Sequence, residues 1–202
     1  MAQRRHILAT LAAGGLFAPS ILRAQSGAPS PNPRPPLQTP HATIPEAMSA
    51  DGRFGSFIEL LSRGGGLATL RSGGHYTVFA PTDAGIDTIP ANIRADLDPT
   101  PTNTNTSGGA NQVALGALIN LHIVEGIYPV ESFTQPATML RSRNGTMLKV
   151  ERTAQNTLRV ILADNAGPGV GGVNIPRPAT ILMPSVMAGN GVILPIDTAL
   201  LK

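Results

Sequence analysis

The most informative part of this sequence is HYTVFAPTDAGIDTIP, residues 75–90. Residues 76–80 are rich in β-branched and aromatic side chains, a composition typical of a strand. Pro81 has no backbone N–H to give to a neighbouring strand, so it predicts that the strand ends there. Thr82 and Asp83 follow directly, and both residue types favour the N-cap of a helix. The stretch therefore predicts a strand that turns at once into a capped helix.

Two roles are open for Asp83 in this corner. A catalytic acid would need a second carboxylate or a base within reach. Asp87, four residues later, could lie on the same helix face. The alternative is a structural residue at the start of the helix, and the position of Asp83 directly after Pro81 and Thr82 favours this structural role.

The residues before this stretch predict helices. Residues 44–46 place a proline and an acid in a first helical turn. A second helix is predicted by apolar residues with the spacing of one helix face, namely Phe54, Phe57, Ile58 and Leu61. Residues 64–66 are all glycine and predict its end, and residues 67–70 predict a brief turn. Residues 92–97 form a weaker helix candidate.

The residues after it predict a loop, a helix and then strands. Residues 98–111 are polar and rich in proline and glycine, which predicts an exposed loop insertion. Residues 113–121 are apolar around much of a helix and predict a central one. Four strands are predicted at 146–152, 157–163, 180–185 and 191–197, with the first two forming a hairpin. Helices followed by strands indicate an α+β domain whose antiparallel sheet is largely C-terminal.

Composition limits the classes of function. The 202 residues suffice for one domain with a sizeable core. Only 13% of the residues are charged and 3% are aromatic, whereas 22 glycines and 19 prolines indicate many turns rather than a helical bundle. Because the sequence contains no cysteine, disulfides, thiolate catalysis and cysteine-ligated zinc are excluded.

The first 24 residues have the parts of a signal peptide. Arg4 and Arg5 precede an apolar run, residues 7–18, that is too short to span a bilayer. Residues 22–24 resemble a small-residue cleavage site. The paired arginines resemble a twin-arginine export signal, and a general secretory signal with two chance arginines is the alternative. Either route predicts a bacterial protein that leaves the cytoplasm.

The rest of the chain divides into a linker and a domain. Residues 25–42 contain six prolines and little to bury, which predicts an extended linker. Residues 43–202 then form the folded domain. The formal net charge of +3 falls to zero without the leader's three arginines, because 12 basic and 12 acidic residues remain. No basic stripe is left for phosphates, so we expect no nucleic-acid partner.

Metal and cofactor sites are also not expected. His41, His75 and His122 show no metal-ligand spacing to one another or to carboxylates. Residues 167–174, GPGVGGVN, are rich in glycine but lack the lysine and hydroxyl residue of a phosphate-binding loop. We therefore interpret them as a connection between strands.

Three segments resemble the signatures of the fasciclin domain family. They are YTVFAPTDAGI at 76–86, LINLHIVEG at 118–126 and NGVILPIDTALL at 190–201, in family order and with family-like spacing. The resemblance covers about residues 43–202. It departs from the family at Leu121, where a tyrosine usually precedes the histidine, and this departure argues against integrin-like binding.

The resemblance implies a compact α+β wedge of antiparallel β-strands with N-terminal and central helices. It also implies that the motif residues are structural, with a possible part in interactions. These residues are Thr77, Phe79, Pro81, Thr82, Asp83, His122, Gly126, Asn190, Gly191 and Asp197.

His122 leaves two roles open. Its ordinary pKa lies near neutrality, so it could act as a general base. The alternative, which its place in the family motif favours, is a core histidine that bonds to the backbone and braces the helix-to-strand junction.

Family members act as secreted or surface adhesion modules. We therefore expect an exported, non-catalytic module that binds a protein or polysaccharide of the envelope or matrix, at the cell surface or in the periplasm. The mature form is expected to have no membrane span. One alternative is a carrier of an apolar small molecule, such as a lipid or pigment, in a groove lined by methionine and aliphatic residues. Another is a hydrolase centred on His122.

Overall fold

The computed structural model describes residues 42–97, 108–163 and 177–202. The predicted leader, all but the last residue of the predicted linker, and the glycine-rich segment 167–174 lie outside the described residues. No helix within the described ranges is long and apolar enough to cross a membrane.

Three helices begin the described chain: α1 (Ile44–Asp51), α2 (Gly55–Arg63) and α3 (Gly66–Arg71). The predicted face of α2 is confirmed, with Phe57 and Leu61 buried. The turn predicted at 67–70 is wrong, because these residues belong to α3. The reason is Gly65, whose φ of 76° reverses the chain within one residue, so that a new helix begins directly after it.

The next elements are β1 (Tyr76–Pro81), α4 (Asp83–Asp87) and α5 (Ala91–Leu97). They confirm the predicted strand, its end at the proline, and the immediate turn into a helix. The weaker helix candidate at 92–97 is also confirmed.

The central helix, α6 (Gly108–Leu121), is longer than the sequence predicts. The predicted loop 98–111 is therefore wrong at 108–111, and its remaining residues lie outside the described ranges. Glycine and asparagine disfavour a helix when they are judged alone. Tertiary contact outweighs this preference, since the Gln112 side chain donates to the Arg63 carbonyl at 2.8 Å and holds the early turns of α6 against α2.

The remaining elements are strands and one short 3-10 turn (Val130–Ser132). The strands are β2 (Ile123–Glu125), β3 (Ala137–Arg141), β4 (Met147–Arg152), β5 (Leu158–Leu162), β6 (Ala179–Thr180), β7 (Val186–Ala188) and β8 (Gly191–Ile196). The hairpin of β4 and β5 and the strand β8 are confirmed. The strand predicted at 180–185 is reduced to β6 and a bridge from Ile181 to Ile196. The sequence missed β3 and β7, because β3 buries only Leu140 and β7 has three residues.

The described strands form two four-stranded sheets, with the orders β2-β1-β8-β7 and β3-β4-β5-β6. Neighbouring strands are antiparallel except for β1 and β8, which are parallel and pair Tyr76 with Gly191. The α+β class is as expected. The described strands are largely C-terminal, as expected, but they form two sheets, and β1 from the first half of the chain lies inside the first. Tyr76 of β1 pairs with Gly191 of β8, more than 100 residues later in the chain. A parallel pairing between such distant residues leaves no pattern in the local sequence.

The first sheet is the middle layer of the domain. On β1, Val78 and Ala80 pack with the helices, whereas Phe79 packs with the second sheet. On β8, Ile193 packs with the helices, whereas Val192 packs with the second sheet. Both strands are buried along their whole length, as expected for a sheet that is covered on both faces.

Candidate functional site

The motif residues lie mainly at the two ends of β1. Pro81, Thr82 and Asp83 lie at its C-terminal end, and the Thr82 N–H donates to the Ile196 carbonyl, one residue before Asp197, at 3.1 Å. Thr77, Gly126, Asn190 and Gly191 lie around its beginning. Between the two groups, the buried Phe79 donates its N–H to the His122 carbonyl at 2.9 Å. The ten residues are therefore spread along one strand and do not converge on one point.

Thr82 and Asp83 cap two different helices. The Thr82 hydroxyl accepts from the Gly85 N–H at 3.2 Å and so caps α4, which follows it. The Asp83 carboxylate instead accepts from the Ser56 N–H at 2.7 Å, at the start of α2. Phe54, the residue that precedes α2, has no side chain able to cap that helix. Asp83 therefore joins the strand-to-helix corner to a helix that precedes it in the sequence.

Asp87 does not complete a catalytic pair with Asp83. Its side chain is 75% exposed and its carboxylate lies 3.5 Å from the Arg94 guanidinium. The two acids are thus directed to different partners, which supports the structural role of Asp83.

His122 is buried between α6 and the C-terminal segment. Its Nδ1 lies 2.8 Å from the Leu118 carbonyl, and its Nε2 accepts from the Leu200 N–H at 3.0 Å. The proton must therefore lie on Nδ1 in the neutral ring, since a carbonyl accepts and an N–H donates. Burial lowers the pKa of His122 to about 4. This is the brace geometry that the family motif favoured, and neither ring nitrogen is open to a substrate.

Thr77 and Gly126 hold the chain that leaves β2. The Thr77 hydroxyl donates to the Gly126 carbonyl at 2.8 Å and accepts from the Tyr128 N–H at 2.9 Å. Gly126 has a φ of 101°, and a Cβ there would lie 2.9 Å from the Tyr128 ring. The two motif residues therefore set the position of Tyr128, a residue that the sequence analysis did not single out.

Asn190 and Gly191 connect β8 to the helices. The Asn190 side chain accepts from the Ile44 N–H at 2.8 Å and donates to the Leu70 carbonyl at 2.7 Å. It thus joins the start of α1 to the end of α3. A Cβ on Gly191 would overlap the Tyr76 carbonyl on the parallel neighbour β1, so only glycine fits.

Asp197 performs a similar task at the far end of β8. Its carboxylate accepts from the Thr180 N–H at 2.7 Å, and its own N–H donates to the Thr180 carbonyl at 3.1 Å. This exchange ties β8 to β6 and so links the first sheet to the second.

Two surface features lie beside these braces, and neither could be located from the sequence. The first, here called the arginine cleft, has a volume of about 400 Å³. Its lining residues are Val124, Glu125, Tyr128, Arg141, Ser142, Arg143 and Gly145. The local signal for it is the run RSRNG, residues 141–145, in which two arginines precede an Asn-Gly turn.

The second feature, here called the apolar groove, has a volume of about 340 Å³ between α5, α6 and the C-terminal residues. Its lining residues are Ile93, Leu97, Ala114, Ala117, Leu118, Leu121, Asn144, Leu201 and Lys202. The sequence shows that α5 and α6 each carry aliphatic residues on one face. Only the tertiary packing of the domain brings these two faces together. Within the described ranges, no group of histidine, aspartate and glutamate side chains is placed to hold a metal ion.

Comparison with known proteins gives one family and one fold. The family model of the Fasciclin domain matches residues 52–202. Among solved structures, the chain is similar to a FAS1 domain pair from the insect cell adhesion molecule fasciclin I, at 17% identity and a TM-score of 0.56. That match covers 81% of this chain and 52% of the domain pair, so this chain spans about half the length of the pair. No curated protein matches.

Proposed function

This chain belongs to the fasciclin domain family, and we propose on that premise that it is an exported, non-catalytic module that binds a protein or polysaccharide of the cell envelope or matrix. The family is one of adhesion-type modules, and the similar insect structure is described as part of a cell adhesion molecule. The proposed place of action is the cell surface or the periplasm.

The observation that carries the proposal is the commitment of the polar motif residues to backbone braces. Asp83 accepts from Ser56, Asn190 accepts from Ile44, and both ring nitrogens of His122 bond to backbone groups. A catalytic acid or base must be free to exchange a proton with a substrate. Side chains that are held in this way support a scaffold whose function lies on its surface.

Export is part of the proposal. The predicted leader at residues 1–24 supports transport out of the cytoplasm, and its removal would leave the predicted linker at 25–42 as an extended segment before the folded domain. A domain without cysteine keeps the same covalent structure in an oxidising compartment.

A capture experiment tests the proposal. The mature protein is immobilised and exposed to an envelope extract of the producing bacterium, and bound proteins and glycans are identified by mass spectrometry. A variant with Gly191→Ala, expected to be destabilised, serves as the control for binding by unfolded chain. Recovery of a defined protein or glycan by the folded protein alone supports the interaction module. Conversion of an envelope component without retention would contradict it.

The apolar groove supports a second candidate, a carrier of an apolar small molecule. Its lining is mainly aliphatic, with Asn144 and Lys202 as polar members and without the methionines predicted from the sequence. Its volume of about 340 Å³ falls in the range of about 300–1,000 Å³ that is usual for small-molecule sites. Leu118 and Leu121 are its buried lining residues on α6.

The carrier candidate has its own test. Organic extraction of the purified protein, followed by mass spectrometry, should yield a lipid or pigment in stoichiometric amount. The variant Ala117→Phe places a ring in the groove and should lose that ligand, whereas Val113→Phe, at a 74% exposed position of the same helix outside the groove, should keep it. A ligand retained equally by both variants would exclude the groove as its site.

A further inference from the structure

The arginine cleft lies where the edges of the two sheets meet. β2 is the edge strand of the first sheet and β3 is the edge strand of the second. An antiparallel bridge between Val124 and Ser142 joins the two strands at this point. Backbone groups of the two edges are thus engaged with each other at this point, and the cleft presents side chains to solvent here.

Arg143 and Glu125 form an ion pair in the cleft. The Arg143 guanidinium donates to the Glu125 carboxylate at 2.8 Å, and the Arg143 N–H donates to the Ile123 carbonyl at 2.8 Å. The guanidinium also lies 5.8 Å from the centre of the Tyr76 ring. These three contacts anchor Arg143 to the first sheet, and the charges of the pair cancel.

Arg141 supplies the uncompensated charge of the cleft. It is the last residue of β3, is exposed, and forms no side-chain hydrogen bond or ion pair with any other residue in the ranges that the structure describes. The charged residues that line the cleft are Glu125, Arg141 and Arg143. Their formal sum is one positive charge, and it resides on a guanidinium whose donors no residue of the described ranges engages.

Tyr128 forms an aromatic wall of the same cleft. Two contacts set the position of this residue. The Thr77 hydroxyl accepts from the Tyr128 N–H at 2.9 Å, and the Tyr128 ring lies over Gly126, which has no Cβ. A ring held in this way loses little conformational freedom when a ligand packs against it. The motif residues Thr77 and Gly126 thus determine where the Tyr128 ring lies at the surface.

We propose that the arginine cleft binds a uronate unit of an acidic polysaccharide, and this inference rests on the proposed function of an interaction module. The Arg141 guanidinium matches a carboxylate in a two-pronged hydrogen-bonded pair. The Tyr128 ring packs against the C–H face of the sugar ring, and the Glu125 carboxylate accepts from sugar hydroxyls. A volume of about 400 Å³ is within the usual range for small-molecule sites.

An acidic peptide fits this cleft less well than a uronate. Because the Val124–Ser142 bridge pairs these two residues with each other, a peptide cannot add as a further strand at this point of the cleft. The carboxylate side chains of such a peptide offer no hydrogen-bond donor to Glu125, whereas the hydroxyls of a sugar do. The two ligand classes are separated by direct comparison.

The test is isothermal titration of the full mature chain with a tetramer of galacturonic acid. Cellotetraose is the neutral control sugar and tetraglutamate is the acidic control peptide. Arg141→Gln should weaken uronate binding at least about tenfold, because a charge-assisted bond is lost. Tyr128→Ala should weaken uronate binding and reduce the preference for the sugars over tetraglutamate. Arg159→Gln removes the same charge from an exposed position on β5 outside the cleft lining and should bind as the parent does.

The outcomes separate this inference from the proposed function. Uronate binding that falls in Arg141→Gln and persists in Arg159→Gln supports the cleft. Equal binding by the two arginine variants, equal binding of cellotetraose, no uronate binding, or tighter binding of tetraglutamate would each overturn it. The proposed function stands in those cases if the envelope capture still recovers a defined protein or glycan. It fails separately if the capture recovers neither.

Discussion

The Nε2 atom of His122 accepts a hydrogen bond from the N–H of Leu200, 3.0 Å away and 78 residues later in the chain. The other ring nitrogen bonds to the Leu118 carbonyl, four residues earlier. One imidazole therefore fastens the C-terminal segment to the end of α6. Because the ring is 1% exposed, water cannot replace either bond if the side chain is removed.

Replacement of His122 should reduce stability. His122→Ala leaves a cavity and an unpaired Leu200 N–H, at an expected cost of about 2–4 kcal/mol in the free energy of unfolding. His122→Gln should recover part of that loss, since it keeps a donor and an acceptor. Urea denaturation measures both values. His75→Ala, at an exposed histidine, is the control and should change stability by less than about 0.5 kcal/mol. A His122→Ala protein with parental stability but no partner binding would instead revive the catalytic role.

The buried histidine also makes stability depend on pH. Its pKa is about 4 in the folded protein against 6.5 for the free group, so between these values the unfolded chain binds the extra proton. Stability should therefore fall as the pH decreases from about 6.5 to 4, by about 3 kcal/mol in total. Glu46, whose pKa is lowered by its bond to the Thr43 N–H, adds acid sensitivity only below about 4.5. Urea denaturation at several pH values should show the decline above pH 4.5 in the parent and lose it in His122→Gln.

Asp83 and Thr82 should have separable effects on two helices. Asp83→Ala removes the acceptor for the Ser56 N–H and should cost about 0.5–2 kcal/mol, whereas Asp83→Asn should cost less. Hydrogen exchange gives a local measurement: Asp83→Ala should speed exchange at Ser56, and Thr82→Ala should speed it at Gly85. Asp87→Ala, at an exposed ion pair, is the control and should change stability by at most about 1 kcal/mol. Faster exchange at Gly85 in Asp83→Ala would contradict this assignment, because it would mean that Asp83 caps α4 instead of α2.

Export through the twin-arginine route should depend on Arg4 and Arg5. Replacement of both by lysine keeps the charge of the leader, so a general secretory signal should still work, whereas a twin-arginine signal should fail. Immunoblots of periplasmic and cytoplasmic fractions measure the outcome. Replacement of Arg23 by lysine is the control and should leave export unchanged. Normal periplasmic yield from the double variant would assign the protein to the general secretory route.

The sequence predicted local features better than their distant partners. It identified Thr82 and Asp83 as capping residues because proline and polar residues at a strand end have a local meaning. It could not show that Asp83 caps a helix that begins 28 residues earlier, at Gly55. The arginine cleft could not be predicted for the same reason, since Arg141 and Tyr128 come together only where the edges of the two sheets meet. Periodicity describes the faces of an element, whereas the choice of neighbour depends on packing in the whole domain.

The close approach of β1 and β8 should make one glycine irreplaceable and leave another free to change. Gly191→Ala would place a Cβ against the Tyr76 carbonyl in the parallel pair, so we expect a loss of about 1–3 kcal/mol or more through displaced backbone. Gly116→Ala is the matched control, because Gly116 lies inside α6 and nothing beyond the neighbouring helix backbone lies within 4 Å of the added Cβ. Alanine favours a helix, so this variant should gain about 0.5–1 kcal/mol. Thermal and urea denaturation of the two proteins should thus show shifts of opposite sign. A Gly191→Ala protein as stable as the parent would mean that the parallel pairing of Tyr76 with Gly191 is wrong.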